Sequence, residues 1–263
     1  MDFSKIKMVV SDMDGTLLNS NHEVSNRFFE IFEVLRDKNI QFVAASGRQY
    51  HSMVDKLKTI KDDVIFIAEN GAFTKQKEDV LLTTPIDRSD VNQVLSALSD
   101  VPDVHPVLCC NSKAYANGSS QSFLRLLSEY YTEYETVKDQ TSVDDQVLKV
   151  AIYHFENSEK HIYPAVKHLE GPLKVKVSGS NWVDVSHKNA HKGYALERLM
   201  QSHNITSDEI MVFGDYNNDL EMLQLSNYSF AMANAHPDVK KVAKFETLSN
   251  DDFGVEQVLE RVI

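Results

Sequence analysis

The fold of this chain is decided by the stretch Ile6-Lys7-Met8-Val9-Val10-Ser11-Asp12-Met13-Asp14-Gly15-Thr16-Leu17. The apolar run from Ile6 to Val10 predicts a short, fully buried strand of a parallel sheet. Two carboxylates spaced by two residues follow it, and such a pair at the end of a buried strand needs something to bind. We interpret Asp12 as a nucleophile and Asp14 as its proton-transfer partner, both held around a divalent cation.

Both ends of the chain continue this pattern of buried strands that end in polar turns. Apolar strands are predicted at 40–45 and 64–68, with a helix at 26–38 between the first two strands and a second helix around Met53. After Ser186 the pattern returns as a helix at 192–203, strands at 209–213 and 228–232, and a final helix around Val258. Open α/β sheets place their ligands at the carboxyl ends of such strands.

The middle of the chain differs from the two ends, because its predicted strands are not regularly followed by polar residues at their carboxyl ends. A hairpin is predicted at 72–83, and the segment that follows contains helix candidates at 88–99, 120–131 and 158–169 and strand candidates at 104–110, 147–155, 173–178 and 181–185. We therefore predict an α/β fold: a Rossmann-like parallel-sheet core formed by residues 1–83 and 187–263, with an inserted α+β cap domain at 84–186.

Composition narrows the classes of function. The chain has 263 residues and a formal net charge of -12, which disfavours nonspecific binding to nucleic acid or to an anionic membrane. The first residues show no signal-peptide pattern, and no apolar run reaches the roughly 18 residues that a membrane span needs. The adjacent Cys109 and Cys110 are expected to be buried thiols in a reducing compartment. These features predict a cytoplasmic protein.

Four polar clusters fall at predicted strand ends or at the start of a helix, and they suit phosphoryl chemistry. The clusters are Asp12 with Asp14; Ser46-Gly47; Lys192; and Asp215 with Asn218 and Asp219. Carboxylate oxygens without histidine or cysteine are the ligands that Mg²⁺ prefers. A hydroxyl, a backbone N–H beside glycine and an ammonium group suit a phosphoryl group. In the role of general acid and base, Asp14 must face away from the metal and offer it only a backbone carbonyl.

These clusters resemble, in order, the four motifs of the haloacid dehalogenase superfamily, and in particular its Cof-type phosphatases with a C2-type cap. The resemblance extends to Glu69-Asn70-Gly71-Ala72 and to residues 229–235, and the insert lies where that group keeps its cap, the domain that sets its substrate specificity. It implies a Mg²⁺-dependent phosphatase for sugar phosphates or similar small phosphorylated metabolites. The implied roles are nucleophile and metal ligand for Asp12, acid and base with a carbonyl on the metal for Asp14, and metal ligand for Asp215. Phosphate binding is implied for Ser46, Gly47, Lys192 and Asn218, and orientation of Lys192 or of a metal-bound water for Asp219.

Several alternatives remain open at the level of the sequence. A phosphotransferase or mutase would use the same core, and a phosphoacceptor signalling domain or a non-catalytic phosphate-binding protein would share parts of it. Arg48 could bind phosphate or lie on the surface, and Asn70 could line the site or stabilise a turn. Asp219 could be a helix N-terminal acid that the helix dipole favours. We expect a monomer or a small homo-oligomer.

Overall fold

The chain divides into a core unit and an inserted unit. The computed structural model describes residues 2–111, 113–118, 120–131 and 133–263. The core unit comprises Met1–Leu82 and His191–Ile263, and the inserted unit comprises Thr83–Ala190. Thr83 and residues 187–190, which the sequence assigns to the core, thus fall in the inserted unit. There, Lys174 Nζ donates a hydrogen bond to the Ala190 carbonyl (3.4 Å).

The core unit contains an eight-stranded sheet in the order β14-β13-β12-β1-β2-β3-β4-β5. Its six strands from β14 to β3 are parallel, and β4 pairs antiparallel with β3. The parallel-sheet core that the sequence predicts is thereby confirmed. The strands are β1 (Met8–Asp12), β2 (Gln41–Ala45), β3 (Val64–Ala68), β4 (Phe73–Gln76), β5 (Asp79–Thr83), β12 (Ile210–Gly214), β13 (Tyr228–Ala231) and β14 (Phe245–Glu246).

The central strands are buried on both faces, which is why they are continuously apolar in sequence. Every residue of β1, β3 and β12 is buried. Helices pack against the sheet: α1 (Asn26–Asp37), α2 (Tyr50–Lys56), α7 (Lys192–His203), α8 (Leu220–Gln224), α9 (Pro237–Val242) and α10 (Gly254–Leu259). Helix α1 begins where Ser25 Oγ accepts a hydrogen bond from the Phe28 N–H (3.0 Å), and it buries Phe28, Ile31, Phe32 and Leu35.

Strand register brings the polar clusters to one edge of the core sheet. Asp12 lies opposite Ala45, the residue before Ser46, and Ser11 lies opposite Phe213, two residues before Asp215. Parallel strands in this register end at the same level. The loops that follow β1, β2 and β12 therefore start side by side.

The inserted unit contains a six-stranded sheet in the order β10-β11-β9-β6-β7-β8. Its strands are β6 (Val104–Cys110), β7 (Ala114–Asn117), β8 (Tyr134–Val137), β9 (Val147–His154), β10 (Leu173–Val177) and β11 (Trp182–His187), and its helices are α3 (Arg88–Ala97), α4 (Gln121–Tyr130), α5 (Ser158–His161) and α6 (Tyr163–Val166). The helix predicted at 158–169 is divided into α5, α6 and a 3-10 turn, because Pro164 has no N–H to continue α5. Cys109 and Cys110 are buried on β6 and are not joined in a disulfide. Within the described ranges, the helices are all too short or too polar to cross a membrane.

Candidate active site

A buried lysine lies between two aspartates at the edge where the core strands end. Lys192 is the first residue of α7 and is fully buried. Its Nζ donates to Asp12 Oδ1 at the end of β1 and to Asp219 Oδ1 after β12, the latter at 2.7 Å. A cation is unfavourable at a helix N-terminus, so the two carboxylates account for its presence there. Asp12 and Asp219 thus supply the negative charge that stabilises Lys192 at this position.

Asp219 accepts three hydrogen bonds from within the protein. In addition to Lys192, it accepts hydrogen bonds at Oδ2 from the backbone N–H groups of Asp215 (2.9 Å) and Tyr216 (3.1 Å). Carboxylate oxygens of Asp12, Asp215 and Asp219 all lie within 4.8 Å of one another. Of these three groups, Asp219 is already committed to three donors, so Asp12 and Asp215 are the carboxylates better placed to hold a cation.

The charges of this cluster do not balance, because three carboxylates face one ammonium group. Burial raises the pKa of Asp12, and Lys192 offsets this only in part. Burial and the charge of Asp219 raise the pKa of Asp215 to about 6. Burial alone would lower the pKa of Lys192, but Asp12 and Asp219 outweigh it and raise that pKa above its usual value. Asp12 and Asp215 therefore favour a cation beside them.

The donor set suits a hard divalent cation. Asp12 and Asp215 offer carboxylate oxygens, and the backbone of the 13–16 turn passes beside them. Thr16 Oγ1 donates to Asp215 Oδ1 (3.3 Å) and orients that carboxylate. Gly15 has φ +76°, and a Cβ at this position would lie 2.3 Å from Asp215 Oδ2. Glycine is therefore required here both for the left-handed backbone and for the close approach of Asp215.

The side chain of Asp14 is held by Arg48 and does not join the Asp12 cluster. Arg48 donates from Nε to Asp14 Oδ2 (2.7 Å) and from Nη2 to Oδ1 (2.6 Å), a two-pronged contact. His22 Nδ1 lies 3.4 Å from Asp14 Oδ1. Burial would raise the pKa of Asp14, but the hydrogen bonds and charge of Arg48 outweigh it, so that this pKa is lowered. The Asp14 carboxylate is therefore ionised in this arrangement.

The remaining predicted residues surround a pocket beside the aspartates. The pocket has a volume of about 380 Å³ and is lined by Asp12, Asp14, Ser46, Gly47, Arg48, Asp215, Tyr216 and Asn218. Ser46 Oγ accepts from the Arg48 N–H (3.1 Å), which leaves its own hydroxyl hydrogen available to a ligand. Asn218 Nδ2 donates to Asn70 Oδ1 (3.1 Å), and Asn70 also lies against Gly47. All eight residues singled out from the sequence are thus brought to one end of the core sheet.

Sequence reasoning missed two residues of this site, His22 and Tyr216, and did not predict the contact that Arg48 makes. It left Arg48 undecided between a phosphate and the surface, but the side chain contacts Asp14 instead. It did not consider His22, which has φ +58° and whose carbonyl accepts from Lys56 Nζ (2.7 Å). It gave no part to Tyr216. Arg48 follows Ser46-Gly47 directly and was therefore detectable as a candidate, whereas nothing in the sequence places His22 beside Asp14.

Comparison with known proteins gives a consistent result over almost the whole chain. The sequence profile of the family described as haloacid dehalogenase-like hydrolase matches residues 9–259. The 5-amino-6-(5-phospho-D-ribitylamino)uracil phosphatase YbjI of Escherichia coli is 28% identical over 261 residues, which cover 98% of this chain and 96% of the relative. Phosphatase YwpJ of Bacillus subtilis is 25% identical, with 98% of this chain and 100% of the relative covered.

Solved structures share the fold of this chain. SMU.1108c from Streptococcus mutans superimposes with a TM-score of 0.83 and is 31% identical, covering 97% of this chain and 98% of its own. TM0651 from Thermotoga maritima has a TM-score of 0.86 and 28% identity, covering 98% of each chain.

Proposed function

The chain belongs to the haloacid dehalogenase-like hydrolases and is a phosphatase, and we propose that it hydrolyses small organic phosphomonoesters, sugar phosphates among them, through a phospho-aspartyl intermediate with Mg²⁺ as cofactor. One observation carries this proposal: the buried Lys192 holds Asp12 at a pocket whose other polar groups suit a phosphoryl group. The surplus of carboxylates at Asp12 and Asp215 supports the metal.

In the proposed first step, a carboxylate oxygen of Asp12 attacks phosphorus and the bond from phosphorus to the ester oxygen breaks. Lys192 keeps the attacking carboxylate oriented, and its positive charge offsets the negative charge of the phosphoryl group. An aspartyl phosphate divides one difficult displacement into two easier ones. Ser46, the Gly47 N–H and Asn218 hold the phosphoryl oxygens at the pocket. Mg²⁺, held by Asp12, Asp215 and the Asp14 carbonyl, would neutralise charge on the phosphoryl group.

Asp14 moves the protons in both steps. It donates a proton to the departing alkoxide and then takes one from the water that attacks phosphorus, which releases phosphate and regenerates Asp12. The first transfer needs a protonated Asp14, whereas the contact with Arg48 keeps it ionised. The proposal therefore requires Arg48 to leave Asp14 when the substrate binds, and an anionic phosphate is a ligand that competes for a guanidinium.

The substrate class is proposed more broadly than that of any single relative. The Escherichia coli relative is named for a phosphorylated ribitylaminouracil, in which a polyol chain bears the phosphate. At 28% identity, its substrate is one candidate among phosphorylated polyols and sugars. We propose that the inserted unit, Thr83–Ala190, acts as the cap that sets this specificity.

The test begins with phosphate release from a panel of phosphorylated metabolites, with Mg²⁺ and with EDTA. Asp12→Asn should lower turnover roughly 10⁴-fold or more while the circular dichroism spectrum is kept, because an amide cannot attack phosphorus. Asp100→Asn, the same change at an exposed position, is the control and should leave turnover intact. Undiminished turnover in Asp12→Asn, or activity indifferent to EDTA, refutes the mechanism. Adding a sugar alcohol as acceptor distinguishes transfer from hydrolysis.

A further inference from the structure

Tyr216 is an aromatic residue at the mouth of the site that the proposed mechanism does not use. It directly follows Asp215, lines the pocket, and is 53% exposed. Among the described residues that line this pocket, it is the one aromatic side chain, and the other seven are acidic, basic, amide, hydroxyl or glycine. An exposed aromatic ring beside a polar pocket offers a flat surface on which part of a ligand can stack.

The backbone of Tyr216 is anchored on both sides. Its N–H donates to Asp219 Oδ2 (3.1 Å), and its carbonyl accepts from the Asp219 N–H (2.9 Å). Asp219 is fully buried and bound to Lys192, so this anchor is part of the rigid centre of the site. The backbone from which the ring projects is therefore held in place beside the pocket.

One face of the Tyr216 ring is accessible to a ligand. Its described aromatic neighbour is His236, at 5.7 Å between ring centroids and 76° between ring planes. A T-shaped contact of this kind occupies at most one face of a ring, and more than half of the residue is exposed. A flat group next to the ester oxygen of a bound substrate could stack on the remaining face at little cost in side-chain entropy, since tyrosine has only two side-chain torsions.

We propose that Tyr216 is a specificity-determining residue that stacks on a flat ring carried by the leaving group of the phosphomonoester. The inference rests on the proposed function and names its preferred substrates: phosphoesters whose phosphate lies one or two bonds from a ring. Two sources share this chemistry, a heteroaromatic ring and the hydrogen-rich face of a sugar ring. The other lining residues are polar or glycine and serve the phosphate, the metal or the proton transfer, so Tyr216 supplies the apolar contact that this pocket makes with the leaving group.

The experiment compares kcat/KM for three kinds of substrate in wild type, Tyr216→Phe, Tyr216→Leu and Tyr216→Trp. The substrates are pyridoxal 5′-phosphate, glucose 6-phosphate and the ring-free glycerol 3-phosphate. For Tyr216→Leu, the ratio of kcat/KM between a ring-bearing substrate and glycerol 3-phosphate should fall about 5- to 10-fold, mainly through KM, because stacking stabilises ground state and transition state alike. Tyr216→Phe should keep the ratio within about twofold of wild type, and Tyr216→Trp, with a larger face, should raise it.

The outcomes separate this inference from the function on which it rests. A fall confined to pyridoxal 5′-phosphate supports the heteroaromatic ring, and a fall confined to glucose 6-phosphate supports the sugar ring. Unchanged ratios in Tyr216→Leu and Tyr216→Trp, with all three substrates still hydrolysed, overturn the role of Tyr216 and leave the phosphatase proposal intact. A wild-type protein that releases phosphate from no substrate of the wider panel overturns the proposed function itself. A gain in Tyr216→Trp cannot arise from a folding defect.

Discussion

Replacing Asp215 by asparagine should stabilise the metal-free protein at pH 8 even though it removes a proposed metal ligand. The reason is the unbalanced charge around Lys192, where Asp12, Asp215 and Asp219 lie together. The pKa of Asp215 is raised from its usual 3.8 to about 6, first by burial and then by the charge of Asp219. Its ionised form is thus disfavoured in the folded protein, and an uncharged amide of the same shape avoids that penalty.

The magnitude follows from the pKa of Asp215. A rise of about two units corresponds to roughly 3 kcal/mol between the two protonation states, which partial exposure reduces to about 1–2 kcal/mol. Because the folded pKa lies above the unfolded one, the stability that this carboxyl contributes is fully present below pH 3.8 and is lost as the pH rises through 6. The advantage of Asp215→Asn should therefore be near zero at pH 4 and reach about 1–2 kcal/mol by pH 8.

Urea unfolding of both proteins in EDTA, from pH 4 to 8, measures this difference. Asp238→Asn is a control of opposite sign, since a hydrogen bond from Lys241 lowers the pKa of Asp238, and its loss should destabilise the protein at pH 8. Added Mg²⁺ should reverse the order of wild type and Asp215→Asn, because a ligand at 100 times its Kd stabilises by about 2.7 kcal/mol. The electrostatic argument would be refuted if metal-free Asp215→Asn were less stable than wild type at pH 8. It would also be refuted if the difference in unfolding free energy did not change with pH.

Two further changes test the loops around the cluster. Gly15→Ala should abolish Mg²⁺-dependent turnover in an assay of phosphate release, because its Cβ would lie 2.3 Å from Asp215 Oδ2. Gly171→Ala is the control: at φ +104°, and with no atom of the described residues within 4 Å of the new Cβ, it introduces backbone strain alone and should keep turnover. Arg48 holds the pKa of Asp14 below its usual value, so Arg48→Gln should raise that pKa. In the pH profile of kcat/KM, the limb that reports Asp14 should then move to higher pH. A limb that stays in place would contradict the assignment of Asp14.

The longer elements agree with the prediction from sequence, and the shorter ones differ from it. The strand at 64–68 and the helix at 192–203 were predicted with the bounds they have, because long apolar runs and helical spacing are strong local signals. The short strands β7 and β8 were not predicted, since four residues carry little pattern and their pairing depends on neighbouring strands. The break of the helix at 158–169 was signalled by Pro164, which the helical spacing around it obscured.

The sequence by itself determined that the core is a parallel sheet and which chemistry is available at the site. Buried strands that end in Asp12, Ser46 and Asp215 must bring those groups to one sheet edge, because parallel strands end at the same level. The residue types, carboxylates with a lysine and a hydroxyl, then point to phosphoryl transfer around a cation.

Only the tertiary structure decided what each of these groups contacts. Lys192 lies between two carboxylates 180 and 27 residues away in sequence, and Arg48 holds Asp14 across 34 residues. Such partners depend on how helices pack on the sheet and on which side chains reach across a loop, and no local pattern encodes those distances. The same packing leaves Tyr216 exposed at the pocket while its backbone is hydrogen-bonded to buried Asp219. No local sequence pattern indicates this position.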